Sequence, residues 1–235
     1  MSLELEHNNL PTHIGIIMDG NGRWATNQNM ERLSGHIQGV ETVRTIVEAC
    51  VRLKIPHLTL YTFSKENWQR PKDEISSLMS LLSSSLKNEL EKLNRNNIVL
   101  KIVGKLEDLP AELQALIMDV IESTKNNTGL VLTLALSYGG RQEIVDAINK
   151  IITSDNKNID EEVFQNYLYD PTMPDPDLII RTGGENRLSN FLLWQSAYSE
   201  IYVSKKNWPE FAEDDLISAL NDFGQRKRKY GKVLS

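Results

Sequence analysis

The sequence predicts an α/β fold: one domain built on an open, mainly parallel sheet of about six strands flanked by helices. Three observations predict it. Strand-type and helix-type runs alternate from end to end, and repeated βα units imply right-handed crossovers. No internal repeat, low-complexity stretch or long Pro/Gly linker divides the 235 residues. At that length the chain buries a sizeable core.

The elements follow in order. "IGIIM" (14–18) is a run of apolar residues that reads as a buried strand, with Gly20 and Gly22 as the turn after it. A helix follows, in which Val40, Val43, Val47, Cys50 and Val51 recur at three- and four-residue spacing. "LTLYTF" (58–63) is the second strand, and then a long helix begins near Glu74 with Ile75, Leu78, Leu82, Leu86, Leu90 and Leu93 on one face. "IVLKIVG" is the third strand, followed by a helix carrying Leu113, Leu116, Ile117, Val120 and Ile121. "LVLTLALSYGG" is the fourth, followed by a helix with Ile144, Ile148, Ile151 and Ile152. "DLIIRTGG" is the fifth and "EIYV" a short sixth, and a last helix runs from about Glu213 into the basic tail "QRKRKYG".

Composition narrows the function. The chain is 40% hydrophobic and 25% charged, and its net charge of −6 argues against a general nucleic-acid binder, so no nucleic-acid partner is expected. Any anion it binds must be held by a local cluster of basic groups. The single cysteine, Cys50, excludes an internal disulfide, fits a reducing compartment and falls in an apolar helical pattern as a core residue. The polar start "MSLELEHNNLPT" reads as a flexible segment over residues 1–12, neither signal nor transit peptide, which leaves 13–235 as the domain. No apolar run approaches the ~20 residues of a membrane span. The expectation is a cytoplasmic protein, and a lipid substrate is compatible with it.

In open parallel sheets, ligands bind at the carboxyl ends of the strands. The unusual polar residues of this sequence fall there: "DGNGRW" after the first strand, "SKENWQRP" after the second, "SYGGR" after the fourth and "RTGGENRLS" after the fifth. Within the first, "GNGRWA" satisfies a dinucleotide fingerprint. The next strand lies too far on for the compact βαβ unit of ~30 residues that the fingerprint needs, and Asp19 would repel a pyrophosphate unless a cation lay between. A cation turns that defect into a function: carboxylate, Mg²⁺, diphosphate. Backbone N–H groups of Gly20, Asn21, Gly22 and Arg23 then cradle phosphate oxygens. Arg23, Arg32, Arg70, Arg181 and Arg187 all lie in or just after these loops, and such a set suits a polyanionic ligand. The four histidines have no zinc spacing, so a hard, oxygen-ligated Mg²⁺ is the expected metal. His36 is placed to donate to phosphate. No Ser-His-Asp or nucleophilic-cysteine arrangement is legible.

These residues resemble the cis-prenyltransferase family over almost the whole chain. "HIGIIMDGNGRWA", "YTFSKENWQRP", "NNTGLVLTLALSYGGR", "DPDLIIRTGGENRLSNFLLWQSAYSEIYV" and "WPEF" look like family signatures in the family's order. The resemblance implies a hydrophobic tunnel in the fold, a homodimer, and transient contact with a membrane surface for product release. It implies successive cis-condensations of isopentenyl diphosphate onto an allylic diphosphate, farnesyl diphosphate, to give undecaprenyl diphosphate for cell-wall synthesis. Other chain lengths, or a non-catalytic partner subunit, are the alternatives. By the same resemblance Asp19 is a Mg²⁺ ligand and catalytic residue, and Glu200 a second metal-site acid. Residues Gly20 to Arg23, Trp24, Arg32 and His36 hold the allylic diphosphate. Ser64, Lys65 and Glu66 lie in a mobile substrate loop with Asn67 at the catalytic position and Trp68 and Arg70 beside it. Arg181, Arg187, Leu188 and Ser189 hold isopentenyl diphosphate.

Three residues depart from the pattern. Asn186 stands where some members carry a metal-binding histidine, Lys65 where Ser or Thr is usual, and Lys229 where an arginine is common. A carboxamide has no useful pKa near neutrality, so Asn67 is expected to position a diphosphate oxygen that accepts the proton.

Overall fold

The computed structural model describes Leu5 and residues 9–156 and 158–227. Most of the expected 1–12 segment, and Lys229 with its tail, lie outside the described residues. All six expected strands form: β1 His13–Ile17, β2 His57–Ser64, β3 Val99–Val103, β4 Val131–Tyr138, β5 Leu178–Arg181 and β6 Glu200–Val203. They make one sheet in the order β3-β4-β2-β1-β5-β6, and every pairing is parallel.

The helices are α1 Asn21–Asn27, α2 Arg32–Arg52, α3 Lys72–Arg95, α4 Ala111–Thr124, α5 Gly140–Ile152, α6 Glu161–Gln165 and α7 Glu213–Gln225. Two differ from expectation. The two-glycine stretch is not a turn throughout, because α1 begins at Asn21 with Gly20 as its N-cap. The short α6 follows Asp160, whose carboxylate accepts from the Val163 amide.

Strand alternation divides the core into layers. Ile14, Ile16, Leu58, Leu60, Leu178 and Ile180 point to one face, which carries the larger apolar cluster. Ile17 and Ile179 point to the other, against Tyr138, Phe191 and Leu192. Cys50 belongs to the larger cluster and is fully buried, and burial pushes its thiol up to about 12. β1 is buried along its whole length. After β1 the chain moves toward β2, and after β5 it moves the other way to β6, so the loops at the carboxyl ends of β1 and β5 diverge. A crevice opens at such a switch point. Asp19 follows β1 there, and Thr182, fully buried after β5, donates its hydroxyl to the Asp19 carbonyl.

β1 also carries a buried titratable group. His13 hydrogen-bonds the Pro174 carbonyl through Nδ1 (2.6 Å) and Thr59 Oγ1 through Nε2 (2.7 Å), and burial lowers its pKa to about 4. In the unfolded chain the ring protonates near pH 6.5. Between pH 6.5 and 4 the unfolded state therefore binds more protons, and stability falls as pH falls. The loss through this residue is roughly 3 kcal/mol. Denaturant midpoints measured from pH 7 to 4 should drop steeply, and less steeply in His13→Gln. Equal slopes in the two proteins would contradict this account.

Candidate active site

The site is built on the turn after β1. Gly20 has φ 108°, a left-handed conformation, and a Cβ there would sit 2.5 Å from Asn207 Oδ1. Both constraints explain a glycine at this position. The Asp19 carbonyl accepts from Thr182 Oγ1 (2.7 Å) and from the Trp208 amide (2.9 Å). Trp208 is itself almost fully buried, and its indole N–H donates to the Gly39 carbonyl (2.9 Å). The backbone of Asp19 is thus held from β5 and from the "WPEF" segment. Its carboxylate remains partly exposed.

That carboxylate is paired with two guanidinium groups. Arg181 Nη2 lies 2.9 Å from Asp19 Oδ2, and Arg23 Nη2 lies 3.2 Å from Oδ1. Arg181 closes β5, is only 4% exposed, and also donates to Ser189 Oγ (2.7 Å) and the Arg187 carbonyl. Glu185 joins Arg187 (2.5 Å) to Arg23 (3.5 Å). On the far side of α1, Glu74 joins Arg70 (3.2 Å) to Arg32 (3.6 Å). A Cβ on Gly22 would meet the Arg32 guanidinium at 2.7 Å, so the missing side chain lets Arg32 lie over the start of α1. Five guanidinium groups face three carboxylates here, in a chain whose net charge is −6. The site is locally positive. Burial, and next the Arg70 charge, lower the His36 pKa to about 4, and its Nε2 is buried without a partner. A neutral ring held among cations can donate to an incoming anion.

Asn67 sits in a 3₁₀ turn over Lys65–Gln69. Its Oδ1 accepts from the Ser64 amide (3.1 Å). With that oxygen engaged, the side chain offers its amide N–H groups, which can position an acceptor and cannot take a proton.

Asp19, Gly20 to Arg23, Arg32, His36, Asn67 and Arg70 all line one cavity of about 470 Å³. The same cavity continues inward between the sheet and the helices α2 and α3. Its inner walls are Val43 and Val47 of α2, Leu82 and Leu86 of α3, and Leu100 and Leu132 of the sheet. A charged mouth therefore opens into an apolar tunnel.

Other expected site residues stand elsewhere. Trp68 donates its indole N–H to Ser137 Oγ (2.8 Å) and packs edge-on to Phe63, so it anchors the turn and does not line the cavity. Lys65 pairs with Asp108 (2.7 Å), and Glu66 accepts from Asn190 (2.8 Å). Ser64 caps the turn, and Trp24 lies on α1 outside the cavity lining. Leu188 packs against the Phe191 cluster, and Ser189 and Arg187 reach the site through Arg181. Glu200 is not brought to Asp19 within this chain. It opens β6 in register with Leu178, toward the amino end of the strands, and is paired with Arg226 (2.7 Å). Sequence reasoning missed Glu74, Glu185 and Asp108. For Glu74 the signal was its i,i+4 spacing from Arg70.

A family profile described as "Putative undecaprenyl diphosphate synthase" matches residues 17–231. The chain belongs to the undecaprenyl diphosphate synthase family. Relatives of this prenyltransferase family include the isoprenyl transferase of Rickettsia typhi, 50% identical over 94% of this chain and 97% of the relative. That of Clostridium tetani is 49% identical over 98% of this chain and 92% of the relative. Among solved structures, lavandulyl diphosphate synthase from Lavandula x intermedia, in complex with dimethylallyl diphosphate, superposes with a TM-score of 0.91 at 34% identity, covering 95% of this chain and 99% of that one. A probable undecaprenyl diphosphate synthase from Campylobacter jejuni gives 0.82 at 37%, covering 96% and 100%. The expected family and the expected single-domain parallel α/β fold are both borne out. The chain is a prenyltransferase by family, with prenyl diphosphates as the implied substrate class.

Proposed function

We propose that this prenyltransferase adds isopentenyl diphosphate repeatedly, in cis, to farnesyl diphosphate, and that its product is undecaprenyl diphosphate. One observation carries the reading: the guanidinium-rich mouth and the aliphatic tunnel are a single cavity. Such a shape suits a substrate with an anionic head and a hydrocarbon tail that lengthens.

In each cycle the allylic C1–O bond breaks, and its electron pair goes to the diphosphate. The isopentenyl double bond supplies the electrons of the new C–C bond, and a proton leaves C2 for a diphosphate oxygen. Arg23, Arg32 and Arg70, with the His36 ring, neutralise the charge that builds on the departing diphosphate. Arg181 and Arg187, on the β5 side, hold the diphosphate of isopentenyl diphosphate. The Asn67 amide orients an oxygen as proton acceptor.

Among the described residues no three His, Cys, Asp or Glu side chains form a metal cage. One partly exposed carboxylate, Asp19, fits a Mg²⁺ held jointly by protein and substrate phosphates, which is the usual manner of this ion. When bound, Mg²⁺ would supply further charge stabilisation to the departing diphosphate. We read the enzyme as a homodimer, supported by the exposed apolar Val145, Ile148 and Ile152 on α5 and Ile201 on the edge strand β6. A metal role for Glu200 then lies with the partner's site. No described helix is long and apolar enough to cross a membrane. We read the enzyme as cytoplasmic, with the finished chain drawn off at a membrane surface.

Each five-carbon unit adds up to about 4 kcal/mol of retention in the tunnel, at about 0.8 kcal/mol per methylene. Intermediates should stay bound and the finished chain leave slowly. Farnesyl and isopentenyl diphosphates with Mg²⁺ should give a burst of long product, then a slow phase that detergent accelerates. Chelating the metal should abolish both phases. No burst, with turnover indifferent to detergent, would leave chemistry as the slow step. A product of a single condensation would overturn the elongation reading.

A further inference from the structure

Two charged side chains line the apolar part of the tunnel. Arg44 of α2 and Glu89 of α3 face the cavity beside Val40, Val43, Val47 and Leu86. Glu89 lies about 22 Å along α3 from Glu74 at the helical rise of about 1.5 Å per residue. The pair is therefore remote from the charged mouth. Arg44 Nε and Nη2 both lie 2.6 Å from Glu89 Oε1. Glu41 also accepts from Arg44, and Lys92 lies 3.5 Å from Glu89. Two residues of α2 and two of α3 thus form one charged network across the seam between the helices. The Arg44 and Glu89 side chains are 28% and 21% exposed, so they keep contact with water on the outer side of the seam while facing the tunnel on the other.

We propose that the Arg44–Glu89 pair is a length-determining latch: it sets the point at which the growing chain stops gaining from further elongation. The proposal rests on the elongation reading. Up to the pair, each added unit exchanges water for aliphatic wall and is favoured. A chain tip that reaches the pair must either strip the remaining water from two charges or part the helices and break the pair. Both oppose the next unit. A charged pair closing the seam thus turns a continuous hydrophobic gain into a limit, and it does so without touching the reacting atoms. Replacing a paired charge with apolar side chains of similar size is often tolerated by the fold, which makes the test practicable.

The experiment compares wild type, Arg44→Met/Glu89→Met, Glu89→Gln and Arg44→Lys, each with farnesyl and isopentenyl diphosphates, Mg²⁺ and detergent. Product length, the rate of the first condensation and the melting temperature are measured for each. The double variant should shift the product distribution to longer chains at an unchanged first-condensation rate, whereas Glu89→Gln, which leaves the Arg44 charge without its partner, should not lengthen the product. Arg44→Lys, which keeps the charge, should give the wild-type distribution. A wild-type distribution in the uncharged double variant, or a shift to shorter chains there, would overturn the latch while leaving elongation intact. A wild type that makes no elongated product would overturn the elongation reading and the latch with it.

Discussion

Asp19→Ala is expected to lower kcat by about 10³-fold, the upper range for losing one charge-organising group at a reacting centre. Binding of isopentenyl diphosphate should change little. The backbone of Asp19 is held by Thr182 and by the Trp208 amide, neither of which touches its carboxylate. The substitution therefore removes the carboxylate and leaves the turn. What is lost is the partner of Arg181 and Arg23 and the protein oxygen available to Mg²⁺. Arg181 keeps its bonds to Ser189 Oγ and the Arg187 carbonyl, so its guanidinium stays in place for isopentenyl diphosphate. An interaction needed only in the transition state shows in kcat, not in KM. Steady-state kinetics at saturating Mg²⁺ check this, and a near-normal kcat would contradict the assignment.

Arg187→Ala and Arg32→Ala should separate the two diphosphates. A charge-assisted hydrogen bond to a phosphate is worth about 1.5–3 kcal/mol, so each loss should raise one KM by roughly 10- to 150-fold. Arg187 belongs to the loop after β5 and is joined to Arg181 through its own carbonyl and to Glu185. Arg32 lies on the other side of the Asp19 turn, over Gly22, and is joined to Glu74 at the start of α3. Arg187→Ala should therefore raise the KM for isopentenyl diphosphate more than that for farnesyl diphosphate, and Arg32→Ala the reverse. The opposite pattern in both variants would mean that the two sites are exchanged.

The sheet was legible in the sequence because each strand is a short apolar run bounded by turn residues, from "IGIIM" to "EIYV". The helix α1 was not, since its seven residues begin inside a two-glycine stretch and only Ala25 is buried. The charged mouth was legible because Asp19, Arg23, Asn67 and Arg70 follow strand ends, and a parallel sheet brings its strand ends together. The acids that organise it were not. Glu185 and Asp108 acquire meaning only from the cations that face them in space, Arg23 and Arg187 for one and Lys65 for the other. Glu200 shows the limit of reading by motif order. It begins its strand instead of ending it, and that places it at the opposite end of the strands from Asp19. Trp68 stands next to Asn67 in sequence, yet its ring points into packing with Phe63, because neighbouring side chains of a turn need not share a direction.

The central claim is that the arginine-lined mouth and the apolar tunnel hold one substrate. A photoreactive analogue of farnesyl diphosphate, with the reactive group at the hydrocarbon terminus, tests it most directly. Irradiated with the enzyme and Mg²⁺, it should label peptides of α2 and α3 that contain Val43, Val47, Leu82 or Leu86. Excess farnesyl diphosphate should suppress the labelling, and Arg32→Ala should weaken it. Labelling confined to other surfaces, or undiminished by excess farnesyl diphosphate, would contradict the claim.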